Sequence, residues 1–228
     1  MRVWDNLITE RDRLVYKGAE MGETIPPGRK PAVLIVDVTK AFIGDKPEPI
    51  LQSIRRFPAS SGEEGWKAVE KIKELLSVAR SAKVPVFYSA VLKVGRKVSV
   101  LSPESASSED PDLGNAKGIP SEITPQDGDV VIEKLKPSPF FGTPLVSYLV
   151  KLGVDTLIVT GGTTSGCVRA AVIDAYSYNY RVLVVEECTF DRGQASHAIN
   201  LFDMNQKYAN VVTLEEVKKY ILSLSTQK

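Results

Sequence analysis

The chain has 228 residues, 43% of them hydrophobic, with 29 Lys and Arg against 28 Asp and Glu. That near-neutral balance gives no electrostatic basis for binding nucleic acid or a membrane surface, and the length fits one α/β domain with a large core. One histidine and two cysteines exclude a disulfide framework, a multi-histidine zinc site and Cys₄ or Cys₂His₂ sets, and they fit a reducing cytoplasm.

The opening MRVWDNLITERDR has no apolar segment and does not read as a secretory signal. No apolar run approaches the roughly 18 residues that span a bilayer. Residues 1–30 are polar, end in Pro26-Pro27-Gly28, and are expected to form an N-terminal arm before a single domain over 31–228. Pro31 to Val38, PAVLIVDV, is a near-continuous apolar run, as expected of a strand covered on both faces. The Pro- and Ser-rich stretch 44–60 reads as a long loop. Ser61 is then expected to cap a helix through Ala82, with Trp66, Val69, Ile72, Leu75, Leu76 and Ala79 on one face. Val84 to Ala90 is a second strand.

Residues 93–128 show little periodicity and are expected to carry a lid. A third strand follows at Asp129 to Lys134. Thr143 is placed to cap Pro144 to Leu152, with Gly153 just past the end. The strand Thr156 to Val159 breaks into the corner Gly161-Gly162-Thr163-Thr164-Ser165-Gly166, and helical spacing resumes from Cys167 through Val168, Ala171, Val172 and Ala175. Arg181 to Glu187 reads as a strand and Gln194 to Ala209 as a helix. Val211-Val212-Thr213 leads into a capping box, Thr213 to Glu216, opening the last helix. The alternation predicts a three-layer α/β/α, doubly wound, mostly parallel six-stranded sheet, with its site beyond the carboxyl ends of the strands.

Three polar residues fall at or near such ends: Asp37 in VLIVDV, Lys134 in VVIEK and Cys167 after TLIVT. A carboxylate, an ammonium and a thiol meeting in one crevice suffice for amide chemistry. Each has a plainer reading: a capping aspartate, a solvated lysine, and a small core filler. A thiol at a helix start is expected to have its pKa lowered by the helix dipole and unpaired N–H groups, which also suit an oxyanion. The glycines of the corner match a P-loop, but Cys167-Val168 stand where Lys and Ser or Thr must be. His197 lies within a helix and reads as a structural or interface residue, and Cys188 as structural.

In order and context, VLIVDV, VVIEKLKPSPFFGT and VTGGTTSGCVRAAVIDA make the chain from Pro31 onward resemble the isochorismatase-like cysteine hydrolases. The resemblance implies a catalytic triad of Asp37, Lys134 and Cys167. It also implies a cis peptide at Gly162–Thr163 that turns an N–H toward the oxyanion beside that of Cys167. Nicotinamidases of this family hold a metal with an Asp and two histidines, which a chain with one histidine lacks. A retained cysteine favours C–N hydrolysis over the ether cleavage of isochorismatases.

The block ECTFDRGQASHAINLFDMNQKYANVV and the opening WDNLITERDR look most like the branch of N-carbamoylsarcosine amidase and maleamate amidohydrolase. That likeness implies a small carboxylate-bearing amide or carbamoyl substrate with no cofactor. It makes Arg192 the carboxylate clamp, Thr163 and Thr164 supporting donors, and Lys117 a second cation. It further implies a cytoplasmic homo-oligomer, a dimer or tetramer. The alternatives are a vinyl ether hydrolase, a non-catalytic scaffold of the same family, and a redox-sensing thiol.

Overall fold

The computed structural model describes residues 2–91 and 118–225. Lys117 and most of the 93–128 excursion lie outside the described residues. Six strands form one sheet in the order β3-β2-β1-β4-β5-β6, and every neighbouring pair is parallel. They are β1 (Pro31–Val36), β2 (Val86–Val91), β3 (Val130–Lys134), β4 (Thr156–Gly162), β5 (Arg181–Phe190) and β6 (Asn210–Val212). The expected three-layer, doubly wound architecture is present.

Strand β1 is buried along its whole length because both faces are covered. Ala32, Leu34 and Val36 face one core with α5 (Leu145–Leu152), α6 (Arg169–Ser177) and α7 (Gln194–Lys207). Val33 and Ile35 face the other, with α4 (Glu63–Ser81) and α8 (Leu214–Ser225). In α4 the buried residues Gly65, Ala68, Val69, Ile72, Leu75, Leu76 and Ala79 recur at helical spacing, which fixes the face it presents. Among the described residues no helix is long and apolar enough to cross a membrane.

Several boundaries differ from the sequence reading. Helix α4 is capped by Gly62 at φ +57°, while the Ser61 hydroxyl is buried without a hydrogen-bond partner. The 44–60 stretch is not all loop, since α3 (Ile50–Ser53) lies within it, and α2 (Lys40–Ile43) is the next element after the first strand. Helix α5 begins one residue later than expected with Pro144, not Thr143, at its N-cap, although the Thr143 hydroxyl one residue earlier still accepts the Leu145 N–H at 3.2 Å. The box at Thr213 forms: Glu216 accepts from the Thr213 N–H at 2.6 Å and donates its own N–H back at 3.3 Å.

The first thirty residues hold a helix, α1 (Glu10–Gly18), begun by a capping box of Thr9 and Asp12. They are also docked. Trp4 is buried edge-on against Phe202 of α7, and the Asp155 carboxylate takes the N–H groups of Arg29 and Lys30 at 2.9 and 3.1 Å.

Candidate active site

The strand order places the chain's crossover between β1 and β4, the switch point where the carboxyl ends of an open parallel sheet leave a crevice. Asp37 follows β1 directly, and Cys167 follows β4 by one tight corner. Asp37 adopts φ +51°, a left-handed conformation that aspartate tolerates better than most residues. Lys134 closes β3, two strands from β1 and so about 10 Å away across the sheet. Its long side chain spans that gap past β2, where the residue paired with Val36 is the small Ser89.

The three predicted residues meet. Lys134 Nζ lies 2.6 Å from Asp37 Oδ2, and both side chains are fully buried. Ser89 Oγ donates to Asp37 Oδ1 at 3.0 Å, and the Ser89 carbonyl accepts the Asp37 N–H at 3.0 Å. The Lys134 ammonium also donates to the Lys136 carbonyl at 3.1 Å. The Cys167 thiol completes the cluster against the Asp37 carboxylate.

Burial pushes the Asp37 carboxyl above the ordinary range, opposed by the Lys134 charge and by donation from Cys167, Lys134 and Ser89. Burial also pushes the Cys167 thiol up, to about 12, and the facing Asp37 charge adds to the shift. That reverses the lowered pKa expected for this thiol. The reason is local geometry: Cys167 sits in a π-turn, Thr164–Val168, and α6 starts only at Arg169. The thiol therefore lies half-buried in that turn beside a fully buried carboxylate, and desolvation outweighs the dipole.

The corner itself is close-packed. Gly161 has φ +98°, and a Cβ there would stand 2.1 Å from the Val36 carbonyl oxygen. The Gly162–Thr163 peptide is cis. The Thr163 carbonyl accepts the N–H groups of Gly166 at 2.9 Å and Val168 at 3.2 Å, with the intervening N–H of Cys167 not among them.

A second set of polar groups, from β5 and α7, grips the same turn. Asp191 Oδ2 accepts both the N–H and the hydroxyl of Ser165, at 2.7 and 2.6 Å, while Oδ1 accepts the N–H of Arg192 at 2.8 Å. The fully buried Thr164 hydroxyl donates to the Phe190 carbonyl at 3.1 Å and meets His197 Nδ1 at 2.8 Å. Arg192 is exposed; its Nη1 donates to the Ala59 carbonyl at 2.9 Å, and no contact joins it to the triad.

Ser89, Asp191 and the Thr164–His197 pair escaped the sequence reading. Asp191 closes an apolar strand as Asp37 does, and that signal was there to use. Cys188 is buried, which raises its thiol. Among the described residues no three His, Cys, Asp and Glu side chains gather as a metal-holding set.

These features define a doubly wound α/β protein with a half-buried thiol beside a buried carboxylate and ammonium at its switch point. It belongs to the isochorismatase family, whose isochorismatase domain matches residues 31–216. Maleamate amidohydrolase of Pseudomonas putida is 31% identical over 214 residues, covering 92% of this chain and 95% of that protein. N-carbamoylsarcosine amidase of an Arthrobacter species is 32% identical over 224 residues, covering 92% and 78%. Among solved structures, N-carbamoylsarcosine amidase from Thermoplasma acidophilum superposes with a TM-score of 0.62 at 26% identity, covering 82% of this chain and 97% of that one. The chain is thus an isochorismatase-like hydrolase family member with amidohydrolase relatives.

Proposed function

We propose that the chain is a cysteine amidohydrolase that cleaves a C–N bond of a small, carboxylate-bearing carbamoyl or amide compound and releases ammonia. The observation that carries this reading is the Asp37 carboxylate, in contact with both the Lys134 ammonium and the Cys167 thiol. The two amidohydrolase relatives support the bond type and the substrate class.

In the resting cluster Lys134 is the counter-ion that holds Asp37 as a carboxylate despite its burial. Asp37 takes the proton from Cys167 Sγ as sulfur bonds to the substrate carbonyl carbon. The carbonyl oxygen becomes an oxyanion, held by N–H groups of the corner at Thr163 and Cys167 beside Gly162. The C–N bond then breaks, and Asp37 returns the proton to the departing nitrogen, which leaves as ammonia. A water then attacks the remaining S-acyl or thiocarbamate carbon and gives a proton to Asp37; the adduct collapses with rupture of the C–S bond, the acid product leaves, and Asp37 returns that proton to the Cys167 sulfur. Sulfur gives up its proton to Asp37 only as it bonds to carbon, so no step requires a free thiolate in bulk water.

Arg192 is the carboxylate clamp of this reading. A guanidinium carries five N–H donors, and among the described residues one is engaged with Ala59, which leaves the rest of the fork to face an anion. Its position is tied to the nucleophile through Asp191, which bonds Arg192 and Ser165 at once.

The test is ammonia release from N-carbamoylsarcosine, maleamate, ureido acids and their neutral amide counterparts. The acids are expected to turn over with kcat/KM about 100-fold above the neutral forms, the scale of a charge-assisted clamp. Equal rates on acids and neutral amides remove the clamp. Cleavage of a vinyl ether with no ammonia from any amide overturns the C–N assignment.

A further inference from the structure

We propose that His197 is a positioning residue for this site, which holds the Cys167 turn through Thr164 by donating from Nδ1. The inference rests on the amidohydrolase reading for its kinetic consequence, while the bond itself stands on geometry alone. The Thr164 hydroxyl has one proton and two close partners, the Phe190 carbonyl at 3.1 Å and His197 Nδ1 at 2.8 Å. A carbonyl can only accept, so both contacts are hydrogen bonds at once only when the hydroxyl proton goes to Phe190. The remaining short contact is satisfied only if Nδ1 carries a hydrogen and the Thr164 oxygen accepts it. Bond accounting therefore assigns the Nδ1–H form of the imidazole.

The chain of contacts has a mechanical meaning. His197 is anchored in α7, where its N–H bonds the Gly193 carbonyl at 2.8 Å. Thr164 is the first residue of the π-turn, between the Gly162–Thr163 corner and Cys167. Phe190 ends β5 and is paired with Gly162 of β4. Thus one buried hydroxyl joins β5, α7 and the nucleophile turn. Asp191 and Glu64 are the charged groups that face the imidazole, and burial holds it below its ordinary pKa against both, so it is neutral at working pH.

Substituting the histidine frees the Thr164 hydroxyl to rotate and lets the corner relax. Displacements of about 1 Å at a reacting centre cost on the order of 100-fold in rate.

Because His197 is the chain's single histidine, its imidazole is read without overlap by histidine-selective ¹⁵N NMR of the whole protein. The expected result is a neutral ring protonated at Nδ1 and bare at Nε2, with that preference lost in Thr164→Val. An Nε2–H ring in the wild type overturns the pairing, and this arm needs no substrate.

The kinetic arm uses the acidic amides of the ammonia panel. His197→Leu is expected to lower kcat about 10- to 100-fold with KM within about threefold. His197→Asn places an amide N–H where Nδ1–H stands and is expected to recover most of the loss. Thr164→Val should cost a similar factor, and the Thr164→Val/His197→Leu double variant no more than either alone. An unchanged kcat in a folded His197→Leu, additive losses, or an Asn variant no better than Leu overturns the role. If the wild type releases no ammonia while the ring is Nδ1–H, the amidohydrolase reading fails and the Thr164–His197 bond stands.

Discussion

With its thiol pushed up to about 12, Cys167 is stored as S–H in the free protein at neutral pH, and in the proposed mechanism Asp37 is the group whose protonation state gates attack. Burial raises the Asp37 carboxyl while Lys134 and Ser89 pull it back down, so the acid limb of kcat/KM reports a balance of named contacts. The sign follows from the base role. As pH falls through the Asp37 pKa, the carboxylate becomes a carboxylic acid, cannot take the thiol proton, and activity is lost. Ser89→Ala removes a donor to the charged form and so moves that limb to higher pH, by about one unit for a hydrogen bond to a charge of about 1.5 kcal/mol. A pH–rate profile checks it, and a limb that stays put or moves down contradicts the role of Ser89. Lys134 is a harsher target, because removing it leaves a buried carboxylate unpaired, a change of about 3–5 kcal/mol.

At the scale of elements, the seam of β1 and β4 decides how closely Asp37 and Cys167 approach. Their backbones touch at Gly161, where φ is +98° and the Val36 carbonyl occupies the space of a side chain. Gly161→Ala is therefore expected to cost about 3 kcal/mol or more, from left-handed strain and a clash with backbone that cannot move aside. Urea denaturation measures it, and a loss under 1 kcal/mol would show the seam to be looser than its geometry.

The same elements show what a sequence makes legible. Strands β1 and β4 read as continuous apolar runs because both faces are buried, and Asp37 stands out because a charge closing such a run needs a partner, whereas Lys134 follows the exposed Glu133 of β3 and by itself reads as solvated. The π-turn was not readable, since Ser165-Gly166-Cys167-Val168 fits helical spacing with or without an extra residue in the turn. Ser89 was hidden for a different reason: a buried serine in VFYSAV looks like any small strand residue until strand order sets it beside Asp37. Thr164 and His197 lie 33 positions apart and are joined only by the crossing of β5 and α7 over the corner. Helix α1 has no buried residues, so it left no apolar stripe to detect.

For the whole molecule, the sheet is closed by its own N-terminal segment. Arg2 pairs with Glu186 of β5 at 3.2 Å, Asn210 of β6 bonds the backbone of Ile25 in both directions at 3.1 and 2.6 Å, and the Gly28 N–H reaches Thr156 at 2.8 Å. Trp4 is the apolar anchor of that segment, 6% exposed against Phe202. Trp4→Ala should cost about 3 kcal/mol of stability and leave kcat within twofold of wild type, because its contacts lie on the face of the sheet covered by α7 rather than in the crevice. Thermal melts and ammonia release on the same sample separate the two effects. A large kcat loss at temperatures where the variant is folded would show that the segment shapes the site.

All of this converges on one sulfur. The most direct measurement compares ammonia release by wild type, Cys167→Ala and Cys188→Ala, on N-carbamoylsarcosine and maleamate, with circular dichroism to confirm that each variant is folded. Loss of about 10⁴-fold or more in Cys167→Ala is predicted, the scale seen when a nucleophile is removed, with Cys188→Ala near wild type. A folded Cys167→Ala protein that keeps ammonia release within tenfold of wild type would contradict the nucleophile and the mechanism built on it.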